Sequence, residues 1–182
     1  MVPNLNFSKL WSIRLAVVCT IVFALQAIIP STDSLALVSA AALSHPWTVL
    51  TYIFLHGGVT HLLYNMFALL LFGTILESIL GPKRFLQIFF VAGILAGISA
   101  IPFYSAVVGA SGAIYGVMGC LAVLRPRMIV WVWGVPMPMI IALGVWTLVD
   151  SVGAFSTMSE TAHISHLAGL AVGVAVGVYF WK

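Results

Sequence analysis

The chain has 182 residues, 63% of them hydrophobic and only 6% charged, with a mean hydropathy of +1.19. A water-soluble domain carries roughly 25% charged residues, so this composition excludes a surface clothed for water and leaves lipid as the main solvent. The net charge of +3 rests on seven basic residues scattered along apolar stretches, which excludes the basic patch of a nucleic-acid binder.

The first apolar run, Ile13 to Ile29 after Lys9 and Arg14, is long for a signal peptide and has no small-residue cleavage site directly after it. It reads as an uncleaved span over about 12–30. Loop one, about 31–59, carries Trp47, Tyr52, Phe54 and Leu55 between turn residues, the pattern of an amphipathic element lying in the membrane interface. Spans two, three and four are expected over 60–80, 85–103 and 110–124. The fifth falls within 128–153. Pro136 and Pro138 each remove a helical hydrogen bond, so its helix is expected to begin near Pro138, with 128–137 at the interface. Span six covers 163–181. The expected fold is all-α: a single six-span bundle over 1–182 with an interfacial loop one.

The charges orient that bundle. Lys9, Arg14, Lys83, Arg84, Arg125, Arg127 and Lys182 all fall on one side of a six-span chain. The positive-inside rule makes that side the cytoplasm, with both termini in, most naturally at a prokaryotic plasma membrane. Asp33, Asp150 and Glu160 fall on the other side, leaving Glu77 near the cytoplasmic face. All five histidines (His45, His56, His61, His163 and His166) gather on the outer side, where polar groups at membrane depth need a reason. Cys19 and Cys120 have neither disulfide number nor metal-site spacing.

Three separated stretches hold the polar groups, all in the outer half. His61 and Asn65 share one face at the start of span two. Ser111 opens span four within Gly109-Ala110-Ser111-Gly112, and His166 opens span six within His163-Ile-Ser-His166-Leu-Ala-Gly169. Taken singly each has a bland explanation: a serine back-bonding within its helix, glycines for packing, histidines anchoring at the interface. Together they hold the parts of acyl transfer, with Ser111 as nucleophile and His166 as general base. His61, Asn65 and the backbone N–H of Ser111 would form an oxyanion hole. Tyr115, four residues after Ser111, is available to pack on the imidazole. Asp150 and Glu160 read as in or near a loop, so the expected pair is a Ser–His dyad without an orienting acid. The dyad requires spans four and six to touch. Gly112 and Gly116 on one, and Gly169, Gly173 and Gly177 on the other, form small-xxx-small faces that allow it.

These elements, in this order, resemble the rhomboid proteases. The resemblance extends to Trp47 in loop one and to Glu77 followed by Gly81, and covers 45–182 best. It implies an intramembrane serine endopeptidase whose Ser–His dyad lies in a water-filled cavity open to the outer face. Its substrates would be single-span membrane proteins, cut at small residues in helix-breaking contexts in or beside the span. Carried over by position, Ser111 is the nucleophile and His166 the base. Tyr115 supports His166, His61 and Asn65 line the oxyanion hole, and His163 lines the cavity mouth. No cofactor and no metal are called for. One departure is Trp47-Thr48, where many members have Trp-Arg, so the anchoring of loop one is expected to differ.

The segment 150–162 is expected to cap the site, with span five (Met137, Met139, Leu143 and Trp146) as a lateral gate. Two other readings stand beside the protease: a metal- or proton-coupled transporter built on His163, His166 and His61, and an inactive rhomboid-like protein that binds membrane helices.

Overall fold

The computed structural model describes residues 10–155 and 161–181. The basic termini Lys9 and Lys182, and Glu160 within the expected cap, lie outside the described residues. Among the described residues six long helices follow one another: α1 (Trp11–Gln26), α2 (Val59–Leu80), α3 (Pro82–Ala100), α4 (Ser111–Leu124), α5 (Met139–Gly153) and α6 (His163–Phe180). Three of them, α2, α3 and α6, are long and apolar enough to cross a membrane, and α1, α4 and α5 are shorter apolar helices. The protein is therefore an integral membrane protein, mostly helical, as the hydropathy requires.

The loops add two short strand pairs to this mostly helical chain. Loop one pairs β1 (Leu37–Val38) with β2 (Ala106–Val107), tying it to the segment between α3 and α4. Between α4 and α5, β3 (Ile129–Val132) and β4 (Val135–Pro138) form a hairpin. The turn residues Trp133 and Gly134 both have positive φ, the geometry a two-residue hairpin prefers because its twist matches that of the strands. Pro136 and Pro138 lack the N–H that helix propagation needs, and α5 starts directly after them at Met139. Trp131 and Trp133 stand exposed on this hairpin, in the stretch expected at the interface.

The start of α1 is held from a distance. Its N-cap residue, Leu10, offers no side-chain cap. Instead the buried Glu77 carboxylate on α2 accepts the backbone N–H groups of Trp11 (2.8 Å) and Ser12 (2.9 Å) and the Ser12 hydroxyl (2.9 Å). A carboxylate at a helix N-terminus satisfies orphan donors and meets the positive end of the helix dipole. This is what Glu77 does on an otherwise basic face. At the same end Arg84 lies over the Phe180 ring, so the start of α3 and the end of α6 share that side. At the opposite end Gln26 exchanges hydrogen bonds with the backbone of His56.

Helix α4 sits at the centre, buried along most of its length. Its contact with α6 is backbone against backbone. A Cβ on Gly169 would overlap the Gly112 carbonyl oxygen, and one on Gly173 would overlap that of Gly116. On the other flank, a Cβ on Gly112 would meet Ala96 of α3 at 2.5 Å, and one on Gly116 would overlap Ala92. In lipid, where apolar side chains gain little from leaving one another's company, such close backbone packing is the main source of helix association.

Gly173→Ala should therefore destabilise the protein by about 1–3 kcal/mol or more, since the methyl meets a carbonyl that cannot step aside. Gly144→Ala on α5, where nothing lies within 4 Å of the new methyl, should be neutral or stabilise by up to about 1 kcal/mol. Thermal unfolding of the two variants in detergent measures the contrast, and equal effects would contradict this account of the α4–α6 contact.

Candidate active site

Ser111 is the first residue of α4, so its backbone N–H belongs to the helix's unpaired first turn. The approach to it is shaped by Gly109, whose φ of +122° disfavours any side chain. A Cβ there would also lie 2.7 Å from the His61 ring. The glycine thus lets the His61 imidazole rest directly on the backbone two residues before Ser111. Gly109 is fixed in turn by donating its N–H to the Tyr52 carbonyl (2.9 Å). Tyr52 itself fills the groove on α3 over Gly97 and donates its hydroxyl to the Gly93 carbonyl (2.6 Å). Loop one therefore positions the segment that leads into Ser111.

His166 is in the first turns of α6 and is nearly buried. Its Nε2 lies 2.8 Å from Ser111 Oγ. The Tyr115 ring stacks on the imidazole, with centroids 4.3 Å apart and planes 13° from parallel. The start of α6 is held by Ile164, whose N–H donates to the Tyr104 hydroxyl (3.1 Å). Ser111, Tyr115 and His166 are thus brought together across the glycine contact.

The oxyanion candidates are placed as follows. The Asn65 side-chain amide donates one N–H to the His61 carbonyl (2.8 Å), leaving its second N–H for another acceptor. Its Oδ1 is buried with no partner among the described residues. His61 Nδ1 accepts the Gly57 N–H at 3.3 Å. A neutral imidazole with Nδ1 as acceptor carries its hydrogen on Nε2, the atom turned toward Gly109.

Sequence reasoning missed the carboxylate. Asp150 is not in a loop but in the last turn of α5, and it is buried. Its Oδ1 lies 2.9 Å from His166 Nδ1 and 2.6 Å from His163 Nδ1. The sequence signal was the apolar helical run through Val149, which carries Asp150 one residue further on the same helix. Gly153, one turn on, makes room for the His163 ring, which any side chain there would overlap.

Asp150, His163 and His166 are also the described group best able to hold a metal ion. His61, which the transporter reading placed opposite them, is not part of it. The 2.6 and 2.9 Å separations are hydrogen-bond lengths. Two donor atoms sharing a tetrahedral zinc at ~2.0–2.1 Å stand roughly 3.3 Å apart, wider than these two separations.

His56 packs against His61, with ring centroids 5.2 Å apart. It is 2% exposed, and both ring nitrogens lack a partner among the described residues. Burial, with a smaller contribution from His61, lowers its pKa to about 4.

A model of the rhomboid domain matches residues 43–182. Human rhomboid-related protein 3 is 32% identical over 150 residues, covering 72% of this chain and 36% of that protein. The rhomboid protease GluP of Bacillus subtilis is 46% identical over 78 residues, 41% of this chain and 15% of its own length. The putative rhomboid protease YdcA of the same organism is 43% identical over 76 residues, 40% of this chain and 38% of its own. An inactive RHOMBOID-like protein 8 of Arabidopsis thaliana also matches, 31% identical over 77 residues. The matched stretches thus span well under half of each relative.

The state of His56 sets a pH dependence. The unfolded chain binds a proton near the ordinary pKa of about 6.5 and the folded chain only near 4, so its contribution to stability is complete above pH 6.5 and is lost as pH falls toward 4. Replacing His56 with Phe should remove a loss of up to about 3 kcal/mol over that window. Unfolding midpoints of wild type and variant between pH 7 and 4 measure it, and parallel curves would contradict it.

Proposed function

The chain belongs to the rhomboid family, and from that premise we propose that it is an intramembrane serine endopeptidase in which Ser111 is the nucleophile and His166 its general base. The observation that carries this reading is the 2.8 Å contact between His166 Nε2 and Ser111 Oγ. A serine hydroxyl is a poor nucleophile at neutral pH unless a base within hydrogen-bond reach removes its proton as it attacks.

In the first half-reaction Ser111 Oγ attacks the scissile carbonyl while His166 Nε2 takes the hydroxyl proton. The negative charge on the carbonyl oxygen meets the first-turn N–H of Ser111, the free N–H of Asn65 and the Nε2–H of His61. Collapse expels the amine, which takes the proton back from His166 and leaves an acyl ester on Ser111. Water, deprotonated by the same imidazole, then releases the carboxylate and restores the serine. Tyr115 holds the ring plane throughout.

The substrates fitting this site are single-span membrane proteins cut near the outer end of their helix, at small residues where the helix is weakened. They would enter laterally beside α5, where Trp146 meets Phe72 of α2 edge to face with ring centroids 5.8 Å apart. That contact is a small aromatic interaction able to part at modest cost. On this reading all six helices cross the bilayer. The arginine-bearing ends of α1, α3 and α4 face the cytoplasm of a prokaryotic cell together with both termini. The existence of an inactive relative makes the alternative a membrane-helix binder, but a binder has no use for a serine held against an imidazole.

Cleavage of a single-span reporter co-reconstituted in liposomes tests the proposal. Wild type should cut it. Ser111→Ala and His166→Ala should be inactive, His163→Ala milder, and Asn65→Ala up to ~100-fold slower. Cleavage retained by purified Ser111→Ala would overturn the mechanism.

A further inference from the structure

We propose that Asp150 completes the site as a positioning carboxylate, making the working unit Ser111–His166–Asp150 rather than a dyad. This rests on the protease reading above and adds to it. The chain of contacts is continuous: Asp150 Oδ1 to His166 Nδ1 at 2.9 Å, then His166 Nε2 to Ser111 Oγ at 2.8 Å.

The chemistry of the atoms fixes the direction of every bond. An ionised carboxylate only accepts, so the hydrogen on His166 lies on Nδ1. A neutral imidazole has one ring hydrogen, which leaves Nε2 as a bare acceptor facing the serine hydroxyl. Without a partner at Nδ1 the ring populates both tautomers, and the one with hydrogen on Nε2 cannot take the serine's proton. When His166 does take that proton it becomes a cation in a nearly buried place. The adjacent negative charge then offsets the cost of holding it there.

His163 has a separate part in this arrangement. Its Nδ1, 2.6 Å away, occupies the same Oδ1, so the carboxylate is gripped from a second side by the same helix. Two residues of α6, three apart, thereby fix one oxygen from α5. The T-shaped packing of the two imidazoles, with centroids 6.2 Å apart, keeps both in register with it.

A purely structural link between α5 and α6 does not account for the residue type. Asp150 is 2% exposed and faces the Tyr115 side chain as well as the two histidines. A carboxylate away from water costs a few kcal/mol, which an uncharged asparagine or serine clamp would avoid. A buried charge retained at such a cost, touching the general base, is what an active site uses.

The test uses Asp150→Asn in the full-length, reconstituted protein. Asparagine keeps the shape and an accepting oxygen but removes the charge and adds a donor. The expected result is a fall in kcat of about 10²–10⁴-fold with KM within a factor of about three, in protein whose unfolding midpoint shows it to be folded. Nitrogen-15 spectra of the histidine-labelled protein give an independent reading. His166 should show a protonated Nδ1 and bare Nε2 in wild type, and a mixed tautomer in Asp150→Asn. Wild-type kcat in folded Asp150→Asn, or a His166 tautomer unchanged by the substitution, would overturn the role of Asp150 while leaving the Ser111–His166 reading intact. Failure of wild type itself to cleave, or cleavage by Ser111→Ala, would overturn both.

Discussion

Two helices with no side chains between them can approach until a glycine Cα rests on a carbonyl oxygen of its neighbour, and that is how α4 and α6 meet. Gly169 on Gly112 and Gly173 on Gly116 give the pair a fixed separation and register, because backbone cannot change rotamer as side chains do. Ser111 is one residue before the first of these contacts, and His166 is three before Gly169. A larger residue at Gly169 or Gly173 would push the two helices apart by more than a hydrogen bond tolerates, while one at Gly112 or Gly116 would first meet Ala96 or Ala92 of α3. The 2.8 Å between serine and histidine is thus a consequence of packing well below it, and the chemistry depends on that packing.

What the glycine contact sets in distance, the surrounding groups set in orientation. Tyr115 fixes the plane of the imidazole from within α4, and Asp150 reaches its far nitrogen from α5. Loop one supports the other side: Tyr52 is wedged into α3, its carbonyl holds Gly109, and Gly109 in turn seats His61. Elements far apart in the chain therefore converge on one spot near the starts of α2, α4 and α6. Polar groups are scarce in this protein, and their gathering at one place lets them satisfy one another where lipid would not. The same rule operates at the opposite end, where Glu77 closes the open N-terminus of α1.

Much of this was legible in the sequence because lipid permits few solutions. Apolar runs of spanning length must be helices, and the glycines at four-residue spacing had to be faces meant for another helix. Ser111, His166, His61, Asn65 and Tyr115 could be nominated because polar residues are so costly at that depth. Three features were not legible. The hairpin at 129–138 reads only as an interfacial stretch before a helix starting near Pro138, because a two-residue turn with positive φ at Trp133 is not a sequence any turn rule favours. Glu77 reads as a lone charge, since its partners are backbone N–H groups of a helix more than sixty residues earlier. Asp150 reads as a loop residue, because only the packing of α5 against α6 turns it toward His166.

The central claim is that Ser111 is activated by His166. The most direct test is to treat folded wild-type protein with a fluorophosphonate and locate the adduct by peptide mass spectrometry. The account predicts a single modified residue, Ser111, with no modification when His166 is replaced by alanine. An adduct elsewhere that persists in Ser111→Ala, or an unmodified Ser111 in protein that admits the reagent, would contradict it.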